Sequence, residues 1–180
     1  MTESHPATAG LHSGALQGRW VLDPAASTAE FRVKHFWGAV TVRGRFDRMT
    51  GAGSVDAGGT VTGKLTIDAG SLSTKNSQRD KHLRSADFFD ADNHPTVVLA
   101  VTGAADPEAV GQIAFNGTLE AAGRSTPVSF TAQAEESGEN AVTLRAGLVV
   151  DRSVFDMTWS PLGMAAKQAA GTVVARFVRG

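Results

Sequence analysis

Between Glu30 and Asp47 the chain reads EFRVKHFWGAVTVRGRFD, and its alternation strongly restricts what this stretch can become. Phe31, Val33, His35 and Trp37 fall on one side of an extended chain, Arg32 and Lys34 on the other. Past Gly38 the alternation restarts, with Val40, Val42 and Phe46 against Thr41, Arg43, Arg45 and Asp47. Successive strand side chains point to opposite faces, so period two means a sheet that is dry on one face and wet on the other. Gly38 lies where the first strand can turn back, and a histidine is set into the dry face.

The same signal recurs along the chain. WVLD before Pro24 reads as a short first strand, and Met49 to Val55 as a weaker, Gly-interrupted one. Val61, Leu65 and Ile67 alternate with Thr62, Lys64, Thr66 and Asp68. Further strands are predicted at 96–102, 111–121, 126–135, 141–150 and 171–178, with short turns at 122–124 and 137–140 suited to antiparallel hairpins. The 20 glycines fit a chain of many tight turns. The exception is SLSTKNSQRDKHLRSADFFDADNHP, residues 71–95, where alternation stops. Asn76 or Ser77 can cap a short helix to about Arg84, anchored by Leu83, Phe88 and Phe89. Eight or nine strands with one apolar face each must close on themselves or on a second sheet. A sandwich answers this pattern; a single antiparallel eight-stranded barrel is the preferred reading, with room inside for side chains or one small ligand.

Composition removes several functions. A formal net charge of −1 gives no general attraction to nucleic acid or anionic surfaces. Zero cysteines leave no disulfide, thiolate site or thiol nucleophile. No serine stands in a G-x-S-x-G elbow, GAGSVDAGG lacks the lysine of a phosphate loop, and no histidine spacing suits zinc. No metal or cofactor is implied. Residues 1–18 are small and polar, and read as a disordered tail without a leader's basic and apolar regions, which points to a cytoplasmic location.

Four pieces, in order over about 140 residues, carry a resemblance. They are Phe31-x-Val33-x-His35 with Val42-x-Gly44-x-Phe46; Thr74, Arg79-Asp80-x-His82-Leu83 and Asp87-Phe88-Phe89-Asp90 up to Pro95; Gly117-x-Leu119 with Gly123-x-x-Thr126-Pro127-Val128; and Arg152-Ser153-x-Phe155-x-Met157. Together they resemble the YceI-like family. The resemblance implies an all-β, lipocalin-like barrel over 19–180, a short helical excursion around 71–95, and binding of a polyisoprenoid or another long amphiphile such as a fatty-acid derivative. It also suggests a homodimer and allows transport, storage or stress protection as roles. Relatives often carry an export signal. Val154 and Asp156 depart from the family pattern, which usually has an acidic residue and a glycine there, so Asp156 requires a compatible backbone or an adjusted turn.

A lumen would be lined by Phe31, Val33, His35, Val42, Phe46 and Leu65 from the first half of the chain. From the rest it would take Leu83, Phe88, Ile113, Phe115, Phe130 and Leu144. Gly44, Gly63 and Gly117 interrupt the inward rows and are expected to leave space. His35 is either a handle for a ligand head group or a core histidine satisfied by a neighbour, the latter favoured on residues alone. Arg79 and Asp80 are expected to pin the helical segment by charge-assisted hydrogen bonds, with Asp80 and His82 pointing apart; Arg152 belongs with Arg79, Asp80 and His82 to the structural motif. The function expected is non-enzymatic sequestration of a long-chain lipid. The alternatives are a filled-core interaction module and a lipid-acting hydrolase or isomerase using His35 as base.

Overall fold

The computed structural model describes residues 13–105 and 109–180. Its strands, in chain order, are β1 (Gly18–Leu22), β2 (Thr28–His35), β3 (Val40–Phe46), β4 (Met49–Val55), β5 (Thr60–Asp68) and β6 (Leu72–Ser73). After helix α2 (Ser77–Arg84) come β7 (Thr96–Ala105), β8 (Gln112–Ala121), β9 (Arg124–Ser137), β10 (Ala141–Asp151) and β11 (Ala165–Arg179). A one-turn helix α1 (Ser13–Leu16) precedes them.

All pairings are antiparallel and the ring closes. One edge of β11 pairs along β10, and its other edge takes β2 and then β1, so β1 and β2 act as one long strand broken once. The break spans Asp23–Ser27, where Asp23 caps a 3-10 turn opened by Pro24. β3 and β4 form a second interrupted strand, broken at Asp47–Arg48, and β5 and β6 a third. Counted this way the wall has eight long strands in sequence order, joined mostly by hairpins. The β8–β9 link is a two-residue turn with Ala122 and Gly123 both at positive φ, as the twist of a tight hairpin requires.

The excursion after β6 is as the sequence suggests. The Asn76 side chain accepts from the Arg79 amide at 3.0 Å and α2 ends at Arg84. The returning segment packs Phe88 and Phe89 on the core. Phe89 meets Phe46 edge-on at 5.6 Å and Phe31 at 6.4 Å, so three rings seal the wall beside β3.

Residues 1–12 of the expected tail lie outside the described residues; the remainder of that segment is tied to the barrel. The Trp20 indole donates to Leu16 O at 2.8 Å, and the Arg179 guanidinium lies 4.5 Å over the Trp20 ring while donating to Ala15 O and Gln17 O, both at 2.5 Å. This cluster closes one end of the barrel. The last strand starts at Ala165, six residues earlier than expected, because AAKQAA pairs with β10 and β2 although it shows no alternation.

Candidate functional site

The barrel encloses a cavity of about 370 Å³ with almost wholly apolar walls. That volume lies within the range of about 300–1,000 Å³ typical of small-molecule sites. All twelve residues named from the sequence as lumen-facing line it. Phe31, Val33, Val42 and Phe46 project from β2 and β3, Leu65 from β5, and Ile113, Phe115, Phe130 and Leu144 from β8, β9 and β10, while α2 and its return supply Leu83 and Phe88. Phe115 and Phe130, directly opposed across β8 and β9, pack at 5.5 Å between centroids.

Space inside does not come mainly from missing side chains. A Cβ on Gly44 would lie 2.4 Å from the Phe31 ring, because that ring folds over the glycine paired with it. A Cβ on Gly117 would meet Ala100 O at 2.0 Å, so this glycine allows a close backbone approach and leaves no void. Gly63 alone of the three has ordinary clearance, with Val101 at 3.7 Å. The cavity instead follows from the barrel's girth and from small wall residues such as Ala165, Ala169 and Ala170 on β11.

One end of the cavity is polar and cationic. His35, at the end of β2, is half-buried and its side chain makes no hydrogen bond with the described residues, so the side-chain partner expected from sequence is not among them. Burial pulls its pKa below the ordinary 6.5, and the Arg152 and then the Arg79 charges add to that. Arg152 follows β10 and is 7% exposed. Its guanidinium donates to Ala166 O at 2.9 Å, Met157 O at 3.0 Å and Trp159 O at 3.5 Å, stapling the 152–165 loop to β11. Burial lowers its pKa, and Asp151 partly counters this.

Arg79 donates to the Thr74 hydroxyl at 2.8 Å and to Thr74 O at 3.0 Å, and Asp80 accepts from the Thr74 amide at 2.8 Å and hydroxyl at 2.5 Å. Both therefore pin α2 to the residue that follows β6. Among the described residues neither Arg79 nor Arg152 has a carboxylate within 4 Å, and both line the cavity. A buried Arg152 and a half-buried Arg79, neither with a carboxylate in contact, stand beside an imidazole and form a place for hydrogen-bond acceptors.

Asp80 and His82 do point apart. Asp80 is buried away from the cavity, whereas His82 lines it, bonds Asp87 at 2.9 Å and stands edge-on to Trp159 at 4.4 Å and to Phe88 at 5.2 Å. Trp159 was not legible as a lining residue because TWSPLGM carries no strand or helix period. Arg84 was also missed; it donates to Gly70 O and Leu72 O and locks α2 onto the β5–β6 joint. Two residues placed on the dry face from sequence are corrected. Trp37 is 88% exposed because the chain turns at Phe36–Gly38 and carries it beyond the wall, and Val40, 46% exposed, opens β3 at the rim opposite His35. Asp156 takes the left-handed conformation at φ 64° and lies 3.3 Å from the Arg124 guanidinium, so the segment accommodates it with a compatible backbone.

Fold and cavity define a class: a closed antiparallel barrel built around one internal apolar site. The chain belongs to the YceI-like domain family, whose model matches residues 20–177. A UPF0312 protein of Vibrio cholerae is 30% identical over 118 residues, 64% of this chain and 61% of the relative. One of Staphylococcus aureus is 32% identical over 100 residues, 54% of this chain and 58% of the relative. The matches thus span about three-fifths of these curated relatives. Among solved structures, Burkholderia cenocepacia BcnA superposes with a TM-score of 0.76 at 19% identity, covering 86% of this chain and 98% of that one. A polyisoprenoid binding domain from Saccharophagus degradans, implicated in plant cell wall breakdown, gives 0.70 at 17% identity, covering 89% and 98%. These likenesses show a shared fold.

Proposed function

We propose that this protein binds and carries a long-chain amphiphile, with an isoprenoid or acyl tail in the barrel and its head group at the His35, Arg79 and Arg152 end. The enclosed apolar cavity with a single cationic end is the observation that carries this reading. Burying ten methylenes yields about 8 kcal/mol gross, from which association and ordering costs are subtracted, so few polar contacts are needed for useful affinity. The head group favoured is one rich in hydrogen-bond acceptors, since the polar groups at that end include two obligate donors, Arg79 and Arg152, beside the His35 imidazole. A solved structure of the same fold described as a polyisoprenoid binding domain supports the tail chemistry.

One feature speaks for binding over catalysis. The charges acting on His35 are guanidiniums, which add to burial in lowering its pKa but do not orient it as a carboxylate partner would. A filled-core module, the other alternative, conflicts with the cavity volume. Protein purified from a bacterial host and extracted with organic solvent is expected to release a long-chain amphiphile visible by mass spectrometry. A clean extract, together with no uptake of a fluorescent fatty acid by the delipidated protein, would reject the carrier role.

A further inference from the structure

Among the described residues nine large apolar side chains are exposed, and six of them, Phe36, Trp37, Val40, Val154, Trp159 and Leu162, fall on two segments at the cationic end of the barrel. The two segments adjoin: the Phe36 amide donates to Met164 O at 2.9 Å and His35 pairs with Ala165. Trp37 at 88% and Leu162 at 91% exposure contact little of the protein. Both, with Phe36, are held at positive φ of 50–53°, a conformation bulky residues rarely adopt. Strained backbone that lifts a tryptophan and a leucine into water has no stabilising role for the barrel, and contiguous exposed apolar surface marks a contact site.

The charge around these tips selects the partner. Arg32, Lys34, Arg43 and Lys167 are exposed on the flanking strands and enter no ion pair with a described residue. Residues 31–46 and 157–170 contain no acidic residue. Of the acids beside these segments, Asp156 pairs with Arg124, Asp87 with His82, and Asp151 accepts from the Ser153 amide and hydroxyl while feeling Lys167; Glu30 stands exposed further along β2. Projecting apolar tips backed by unpaired cations match a bilayer bearing anionic lipid, in which the tips enter the interface and the cations meet head groups. We propose that the 36–40 and 154–162 loops dock the barrel on an anionic membrane surface. This rests on the carrier reading, since it sets the lipid-loading end of the cavity against the source of its ligand.

Sedimentation with vesicles tests it. The full chain is expected to sediment with phosphatidylcholine vesicles containing phosphatidylglycerol at low salt, to stay in solution with phosphatidylcholine alone, and to be released by high salt, which screens exposed charges. Trp37→Asn together with Leu162→Asn is expected to weaken vesicle binding by about tenfold or more, the scale of losing two apolar insertions. Asparagine tolerates the left-handed conformation, so this variant keeps or raises the melting temperature and does not fail by misfolding. Unchanged vesicle binding in the double variant would overturn the proposal. So would absence of binding by the unmodified chain, or a concentration-dependent dimer that the same variant dissolves while vesicles are ignored. Organic extraction and fatty-acid uptake read the carrier role separately: copurified lipid without vesicle binding rejects docking alone, and vesicle binding with a clean extract and no uptake rejects the carrier alone.

Discussion

Glycine positions decide how tightly neighbouring strands approach, and their effects are separable. Ala in place of Gly117 puts a methyl group 2.0 Å from Ala100 O, a backbone atom that cannot move without β7. Gly117→Ala is therefore expected to destabilise by about 2–3 kcal/mol, as overpacking does, read as a lower urea midpoint. Gly63→Ala meets only ordinary contacts and removes backbone entropy from the unfolded chain, so it should be neutral or stabilise by up to about 0.5 kcal/mol. Equal effects at the two sites would show that the register is wrong.

His35 gives a second residue-level expectation, with a definite sign. Its folded pKa is lowered by burial and by Arg152 and Arg79, so as pH falls through the ordinary 6.5 the unfolded chain takes up the proton first. Stability attributable to His35 is then constant above that pH, falls below it, and levels off once the folded imidazole is protonated. The melting-temperature difference between the natural chain and His35→Gln should follow this course; a difference independent of pH would show that neither burial nor the guanidiniums lower the His35 pKa.

Among elements, the loop after β10 depends on one side chain. Arg152 satisfies three carbonyls that belong to the loop and to β11, so Arg152→Leu is expected to cost about 2–3 kcal/mol by leaving the buried Met157 carbonyl and two part-buried ones without this donor. Amide exchange should accelerate first in 152–165, ahead of β8 and β9. Uniform acceleration would mean that the loop is held by other contacts. Elements with a clean period were legible in the sequence: β2, β3, β5, β9 and β10 keep apolar and polar residues apart over their length. Helix α2 was legible through Asn76 as cap. The start of β11 was not, because alanines serve either face of a sheet. The turn itself was legible at Gly38, but not its start at Phe36, since alternation runs on through Trp37 while the backbone has already left the wall.

For the molecule as a whole, the inward residues could be named from alternation, but whether they met in a solid core or stood apart could not. That depends on the number of strands, their stagger and the sizes of wall residues across the barrel, which are properties of closure. The same limit hid the cationic end. Arg79 and Arg152 lie 73 positions apart and join His35 only because α2 and the loop after β10 cover the same mouth. The exposed tips and the cavity mouth share that end, so binding and delivery can be controlled from one side of the molecule.

The most direct test compares two ligands of equal chain length, a long-chain carboxylate and the matching hydrocarbon, on delipidated natural protein and on His35→Ala. Both ligands should bind the natural protein, the carboxylate more tightly. The substitution should weaken carboxylate binding by about 1–2 kcal/mol, the scale of a lost hydrogen bond, and leave hydrocarbon binding and melting temperature nearly unchanged. Equal weakening of both ligands, or no binding of either, would contradict a cavity that takes an apolar tail and meets its head group at the His35 end.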